Sequence, residues 1–312
     1  MTGGNHLVIG AGPIGRELVH QLTERGDQVL VATRSGTRLP LAEAVTADAS
    51  DAAALIGAAE GADTIFLCSN PAVYAADEWQ RVWPPIFRAA IQAARSSGAG
   101  LVVMGNLYPY GKPEGPMTEC SPEMTTEAKG VVRREGWAAV KAAHDAGEIR
   151  AVEVRASDYF GPGAGGTAHL GERFFGPIMA SKTAYVVGDP AMPHSWSYLP
   201  DIAATLVAAA DHTGPWGRVW HVPSGLPHSR HEIADTLNDW FDAHGKAAGV
   251  PQWLLAGLGL FSPQWRGVYE SSYQFTAPFV LEATETERML GVQATPWPAA
   301  LRETAQSYRP LS

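Results

Sequence analysis

The sequence predicts an α/β fold, a doubly wound parallel sheet with a smaller C-terminal lobe, and three features carry that prediction. Short β-branched runs alternate with Ala-rich helical stretches through the first half. A glycine-rich turn joins the first run to the first helix, and Pro/Gly-rich links interrupt the second half. Right-handed crossovers between successive runs make the strands parallel. In order, strands are expected at residues 7–9 and 28–32, a third ending near Asp48, then 64–68 and 101–104, with a helix over 16–25 between the first two. A helix within 83–97 is expected to start near Pro84 or Pro85, because proline suits a first helical turn. Another runs over 127–146 and stops at Gly147. Residues 150–155 read as a sixth strand, after which Phe160-Gly161-Pro162-Gly163-Ala164-Gly165-Gly166 cannot be regular structure and takes the chain out of the sheet. Residues 201–210 read as a helix with Asp201 near its N-terminus, packed back on the sheet. The expected division is 1–160 with about 190–222 in the sheet domain, and about 161–189 with 223–312 in the second lobe.

Composition narrows the function classes. At 312 residues, 46% hydrophobic and 18% charged, the chain can bury a large core, and its net charge of −9 lacks the basic footprint that nucleic acid requires. Cys68 and Cys120 are too few for a disulfide framework and stand apart from any Cys/His cluster, so reduced thiols and no metal site are expected. The start has no basic segment before its first strand and no apolar stretch is long enough to span a bilayer, which predicts a cytoplasmic protein without membrane contact. The short apolar segment 253–261 reads as part of the second lobe or a subunit contact, in a monomer or homodimer.

The strongest motif is Gly10-Ala11-Gly12-Pro13-Ile14-Gly15, placed between a strand and an amphipathic helix. One glycine allows the sharp turn, one lets backbone N–H groups approach a diphosphate, and one lets the helix pack closely on the strand, as in a Rossmann-type dinucleotide site. After the second strand come Thr33-Arg34-Ser35, with no carboxylate to take the ribose hydroxyls. An arginine there suits the 2′-phosphate of NADP(H), the lesser alternative being a solvated loop charge. Asp48 could accept from the adenine amino group or simply close a turn, and Ser69 follows the fourth strand at the cofactor's edge.

Further along, Gly61-Ala62-Asp63-Thr64-Ile65-Phe66, Tyr108-Pro109-Tyr110-Gly111, Val154-Arg155-Ala156-Ser157-Asp158-Tyr159-Phe160-Gly161-Pro162-Gly163 and Leu199-Pro200-Asp201-Ile202-Ala203 extend the pattern over nearly the whole chain. With these motifs the chain resembles the extended short-chain dehydrogenase/reductase family, in its atypical, sugar-epimerase/dehydratase-like branch. Ile9 stands where that family's first loop glycine would be. The resemblance implies a Ser/Thr, a Tyr and a Lys four residues after it as catalytic groups. Here Asn106 falls at the hydroxyl position, and Lys129-Gly130-Val131-Val132-Arg133 falls on the Tyr-to-Lys pair. All three standard residues are thereby replaced, by Asn106, Lys129 and Arg133, with Lys129 also at the nicotinamide ribose. Tyr108 and Tyr110 are alternative proton donors. Lys129 and Arg133 share a helix face, which could also be merely solvated, and the tyrosines could merely pack. Ser157, Tyr159, His194 and Trp196 are the expected substrate contacts; His169, His221 and His228 have no ligand spacing and read as structural or surface residues.

Three functions fit these residues. The first is an NADP(H)-dependent oxidoreductase acting on a carbonyl or alcohol of a small or medium organic molecule, or epimerising a sugar-like alcohol through transient oxidation. The second is a non-redox isomerase or cyclase on the same scaffold, and the third a non-enzymatic dinucleotide sensor. Segment 163–189 holds only Arg173 and Lys182 with which to bind a sugar diphosphate, which argues against a nucleotide sugar. The aromatic set Trp253, Phe261, Trp265, Tyr269, Tyr273 and Phe275 argues for an apolar organic ligand over a purely regulatory surface, and also fits a dimer contact.

Overall fold

The computed structural model describes residues 3–308. The apolar run at the start becomes β1 (Asn5–Ile9), followed by α1 (Pro13–Glu24), β2 (Gln28–Thr33), β3 (Glu43–Thr46), α2 (Ala52–Ala58), β4 (Thr64–Leu67), α3 (Ala76–Ser97), β5 (Gly100–Asn106), α4 (Ala128–Asp145) and β6 (Arg150–Ala156). Then come β7 (Asp158–Phe160), α5 (Glu172–Met179), β8 (Thr183–Val187), β9 (Trp196–Tyr198), α6 (Leu199–Asp211), β10 (Val219–His221), α7 (Arg230–Phe241) and β11 (Lys246–Val250). The chain continues through α8 (Gln252–Phe261), α9 (Pro263–Ser271), α10 (Thr284–Leu290) and α11 (Trp297–Ser307). The main sheet has seven strands, all parallel, in the order β10-β6-β5-β4-β1-β2-β3. It is the doubly wound, Rossmann-type α/β sheet that the alternation predicts, with a seventh strand added by β10.

Side-chain alternation sorts the strand residues onto two cores. Leu7, Ile9, Ile65, Leu67, Leu101 and Val103 face Trp79, Trp83 and Phe87 of α3 and Val140 of α4. Val8, Phe66, Val102 and Val154 face Leu18 of α1 and Ile202 and Leu206 of α6. A third core, around Phe174, Ile178, Trp196, Leu237, Phe275 and Leu301, closes over the parallel pairs β8–β11 and β7–β9 in the second half.

The helix expected to begin at Pro84 or Pro85 begins instead at Ala76 and carries both prolines inside it. A proline forfeits one bond to the preceding turn and crowds it. That turn is held by burial of Trp79 and Trp83, 2% and 1% exposed, with Trp79 stacked on Tyr108 and Trp83 on Phe87. Segment 253–261 is helix α8, whose Trp253 and Phe261 are exposed. Among the described residues, no helix is long and apolar enough to cross a membrane.

Candidate active site

The glycine loop divides its tasks as its chemistry requires. Gly10 takes φ +107°, donates its N–H to the Ala32 carbonyl at 3.0 Å, and would press a Cβ to 3.0 Å from the Cys68 carbonyl. Ile9 is the last buried residue of β1, so the turn starts one residue later than in the family's usual spacing. A Cβ on Gly15 would lie 2.1 Å from the Gly10 oxygen, which enforces the close approach of α1. A Cβ on Gly12 would meet nothing within 4 Å, and α1 starts there, at Pro13 and Ile14, with no side-chain cap. Unpaired N–H groups at the positive end of a helix thus face open space, an arrangement that fits the diphosphate of a dinucleotide.

Two cavities flank this loop and share Ser69, Asn70 and Pro71. The first, about 380 Å³, lies beyond β2 and is lined by Gly10, Thr33, Arg34, Ser35, Asp48 and Arg81, among others. Thr33 Oγ1 accepts from the Thr37 N–H at 2.8 Å and Ser35 Oγ lies 2.9 Å from Thr37 Oγ1, so both hydroxyls brace their own loop. Asp48 Oδ1 accepts from the N–H and hydroxyl of Ser50 at 2.8 and 2.7 Å; these bonds, and Arg34 nearby, hold its carboxyl below the usual range. Arg34 is exposed and makes no hydrogen bond or salt bridge among the described residues, its nearby charge being Asp48. Arg81, which the sequence reading missed, is tied to Glu78 at 2.7 Å.

The second cavity, about 330 Å³, lies over the ends of β4, β5 and β6. It brings together Asn106, Tyr108, Arg133, Ser157 and Tyr159, with Asp158 and Tyr74 added by the structure. Asn106 Oδ1 accepts from the Tyr108 N–H at 3.2 Å. The Tyr108 and Tyr74 hydroxyls are 2.8 Å apart and Tyr74 donates to Ser271 Oγ at 2.9 Å; burial pushes both phenols well above their ordinary pKa. Arg133, 2% exposed, donates to the Met104 carbonyl at 2.6 Å and sits 4.2 Å from the Trp83 ring. Burial lowers its pKa to about 10, against the pull of Glu153 at 3.7 Å. Glu153 in turn accepts from Arg155 at 2.7 Å, and Arg155 pairs with Glu123. Gly105 is needed beside this network, since a Cβ there would come within 2.6 Å of the Glu153 carboxylate.

Lys129 and Tyr110 do not line the cavity. The Lys129 ammonium is fully buried against α9, donating to Glu127 at 2.7 Å, the Gly267 carbonyl at 3.1 Å and Glu270 at 3.3 Å. Four-residue spacing put Lys129 and Arg133 on one face, but an N-terminal side chain reaches the facing lobe and the one a turn later reaches the sheet. Tyr110 donates to His221 Nε2 at 2.7 Å, while His221 Nδ1 donates to the Glu282 carbonyl at 2.8 Å. Burial pushes the Tyr110 phenol up to about 12 and His221 down to about 4. His221 is therefore a fully buried structural residue.

Behind Ser157 and Tyr159 stands a cluster that sequence reasoning met only in part. His194 Nε2 lies 2.9 Å from Asp158 Oδ2 and 3.4 Å from Ser157 Oγ, its Nδ1 lies 3.3 Å from the Gln274 carbonyl, and its ring stacks on Phe275 and Phe279. Burial works to raise the Asp158 pKa, but the His194 bond and the charges of His169 and His194 outweigh it and hold the carboxyl below its usual range. His169, which read as a structural or surface residue, has its Nε2 3.9 Å from the other Asp158 oxygen. The signal for Asp158 was its place between Ser157 and Tyr159 at the end of β6. Trp196 packs in the third core and donates to the His228 carbonyl at 2.9 Å, away from the cavity lining. None of Trp253, Phe261, Trp265, Tyr269, Tyr273 or Phe275 lines either cavity; the first four are exposed and Phe275 belongs to the third core. Cys68 lines the second cavity as a thiol that burial pushes up to about 12. Among the described residues no cluster of His, Cys, Asp or Glu could hold a metal ion.

No curated protein matches the chain. Solved structures share its fold over nearly full length on both sides. A double mutant of a dTDP-glucose 4,6-dehydratase from Streptomyces venezuelae, with NAD and DAU bound, superimposes with a TM-score of 0.77 at 20% identity, covering 97% of this chain and 96% of that one. An epimerase from Methanothermobacter thermautotrophicus gives 0.81 at 19% identity, covering 98% and 92%. A UDP-glucose 4-epimerase from Thermotoga maritima, with UDP-glucose, gives 0.80 at 15% identity, covering 97% and 98%. At such identities the likeness is one of fold. Residues 6–222, more than half of the chain, match the family model that spans the glycine loop, the second cavity and the added strand β10, and the chain belongs to the NAD dependent epimerase/dehydratase family.

Proposed function

We propose that the protein is a cytoplasmic NADP(H)-dependent oxidoreductase acting on a carbonyl or alcohol of a small or medium organic molecule. The observation that carries this reading is the pair of cavities meeting at the glycine loop, with the exposed Arg34 in one and Tyr108 in the other. The N–H groups of the Gly10–Gly15 loop would hold the diphosphate, and Arg34, with the hydroxyls of Thr33 and Ser35 beside it, the 2′-phosphate. Asp48 and Ser69 border the adenosine side and the shared neck. When bound, NADP(H) supplies or accepts the hydride. Tyr108, kept neutral by burial, gives its proton to the substrate oxygen and regains one through the Tyr74 hydroxyl and Ser271. Asn106 lies in the same wall, where its amide N–H groups favour negative charge developing on that oxygen, and Arg133 is assigned to bracing the Met104 carbonyl and Glu153. Lys129 is assigned to holding α9 against α4 rather than to the chemistry or the ribose. The sheet domain takes the dinucleotide, and the segments of about 161–189 and 223–312 take the substrate.

Epimerisation through transient oxidation is the second reading, favoured by the family and served by the same cavity. Titration with NADPH, followed by loss of its absorbance with a panel of ketones, aldehydes and enones, tests the first reading. Tyr108→Phe should lower turnover about 100-fold, and Tyr110→Phe by less than about threefold. Tight NADPH binding with no oxidation across the panel would contradict hydride transfer to a carbonyl.

A further inference from the structure

Resting on the oxidoreductase reading, we infer that the site takes an uncharged substrate, a neutral carbonyl compound with an apolar ring, and turns away carboxylates, phosphates and nucleotide sugars. The charges at the second cavity set this preference. Its wall is aromatic, with Trp79, Trp83, Tyr108, Tyr159 and Phe279 among the lining residues. Among the described residues Arg133 is the only lysine or arginine that lines it, and that guanidinium is committed to the Met104 carbonyl, Glu153 and the Trp83 face.

The other buried cations nearby are committed as well. Lys129 is tied to Glu127 and Glu270, Arg155 to Glu123 and Glu153, and Arg230, 2% exposed, to the Val187 carbonyl at 2.6 Å. The charge the cavity does present is negative. Asp158, with 18% of its side chain exposed, lines the wall, whereas its partner His194, 3% exposed, stands behind it and does not. His169, 3.9 Å from the second carboxylate oxygen, does not line the cavity either. An anion entering here would give up its water against a carboxylate with no free cation to meet it, whereas an apolar ring would gain contact with the aromatic wall.

Calorimetric titration with two probes of one carbon skeleton tests this: benzoylformate, an anion, and its neutral methyl ester, each with NADP⁺ present and absent, with UDP-glucose as a third arm. The ester should bind at least about tenfold more tightly than the acid, and UDP-glucose should not compete with it. Asp158→Asn keeps an acceptor for His194 and should narrow the ester-to-acid ratio to about threefold or less. Acid binding as tight as ester, or a ratio that Asp158→Asn leaves untouched, would overturn the inference while NADPH binding stays intact; loss of NADPH binding alone would instead overturn the oxidoreductase reading.

Discussion

Glu153→Gln removes the only ion-pair partner of Arg133 among the described residues while nearly keeping the side chain's shape. Both groups are buried, the Arg133 side chain 3% and that of Glu153 0% exposed, at 3.7 Å. Breaking such a pair from one side costs about 3–5 kcal/mol, because the remaining charge stays in the interior. The lower end applies here, since Arg133 keeps its 2.6 Å bond to the Met104 carbonyl and the Trp83 face, and Arg155 keeps Glu123. With an unfolding entropy of about 2.1 cal/mol/K per residue, a loss of about 3 kcal/mol lowers Tm by about 5 °C. Combining Arg133→Met with Glu153→Gln removes the stranded guanidinium while an amide oxygen still accepts from Arg155, and should restore most of that loss. Thermal unfolding followed by circular dichroism reads both values. A Tm for Glu153→Gln within about 1 °C of wild type, or a double variant no more stable than the single one, would refute the reasoning.

Gly12→Ala should leave Tm within about 1 °C yet cut NADPH affinity at least about tenfold, because its Cβ meets no protein atom and points into the space assigned to the diphosphate; unchanged affinity would remove the ligand from that space. Gly15→Ala, whose Cβ would lie 2.1 Å from the Gly10 oxygen, should lose both Tm and NADPH affinity. Acid should destabilise the fold through His221, whose pKa falls from 6.5 to about 4 on burial. The unfolded chain binds that proton first, so the contribution is complete above pH 6.5 and is lost as pH falls toward 4, about 3 kcal/mol in all. His221→Gln should flatten the slope of Tm against pH in that window, and an unchanged slope would acquit His221.

Six of the seven sheet strands were legible because each carries a short β-rich run, but which core Leu7, Val8 and Ile9 each face was not, because all three are apolar and only the pleat sorts them. The start of α3 was not, because Pro84 and Pro85 give the local signal of a first turn while the burial of Trp79 and Trp83 is a tertiary fact. At the site, Asn106, Tyr108, Arg133, Ser157 and Tyr159 were found from motif distance and all line one cavity. Spacing could not say that Lys129 turns to Gly267 and Glu270, more than a hundred residues away in the chain, or that Tyr110 turns to His221. The aromatic-rich stretch after Trp253 was read as favouring an apolar ligand on composition alone, yet the aromatic rings that line the second cavity include Trp79 and Trp83 of α3.

The central claim is that the cleft at the glycine loop is built for NADP(H). Direct fluorescence titration of wild type and Arg34→Ala with NADPH and NADH tests it, because Arg34 is the one arginine or lysine lining the adenosine-side cavity that makes no hydrogen bond or salt bridge among the described residues. Wild type should prefer NADPH by at least about tenfold, and Arg34→Ala should lose that preference while its affinity for NADH stays within about twofold of wild type. A preference for NADH, or an NADPH preference that survives Arg34→Ala, would contradict it.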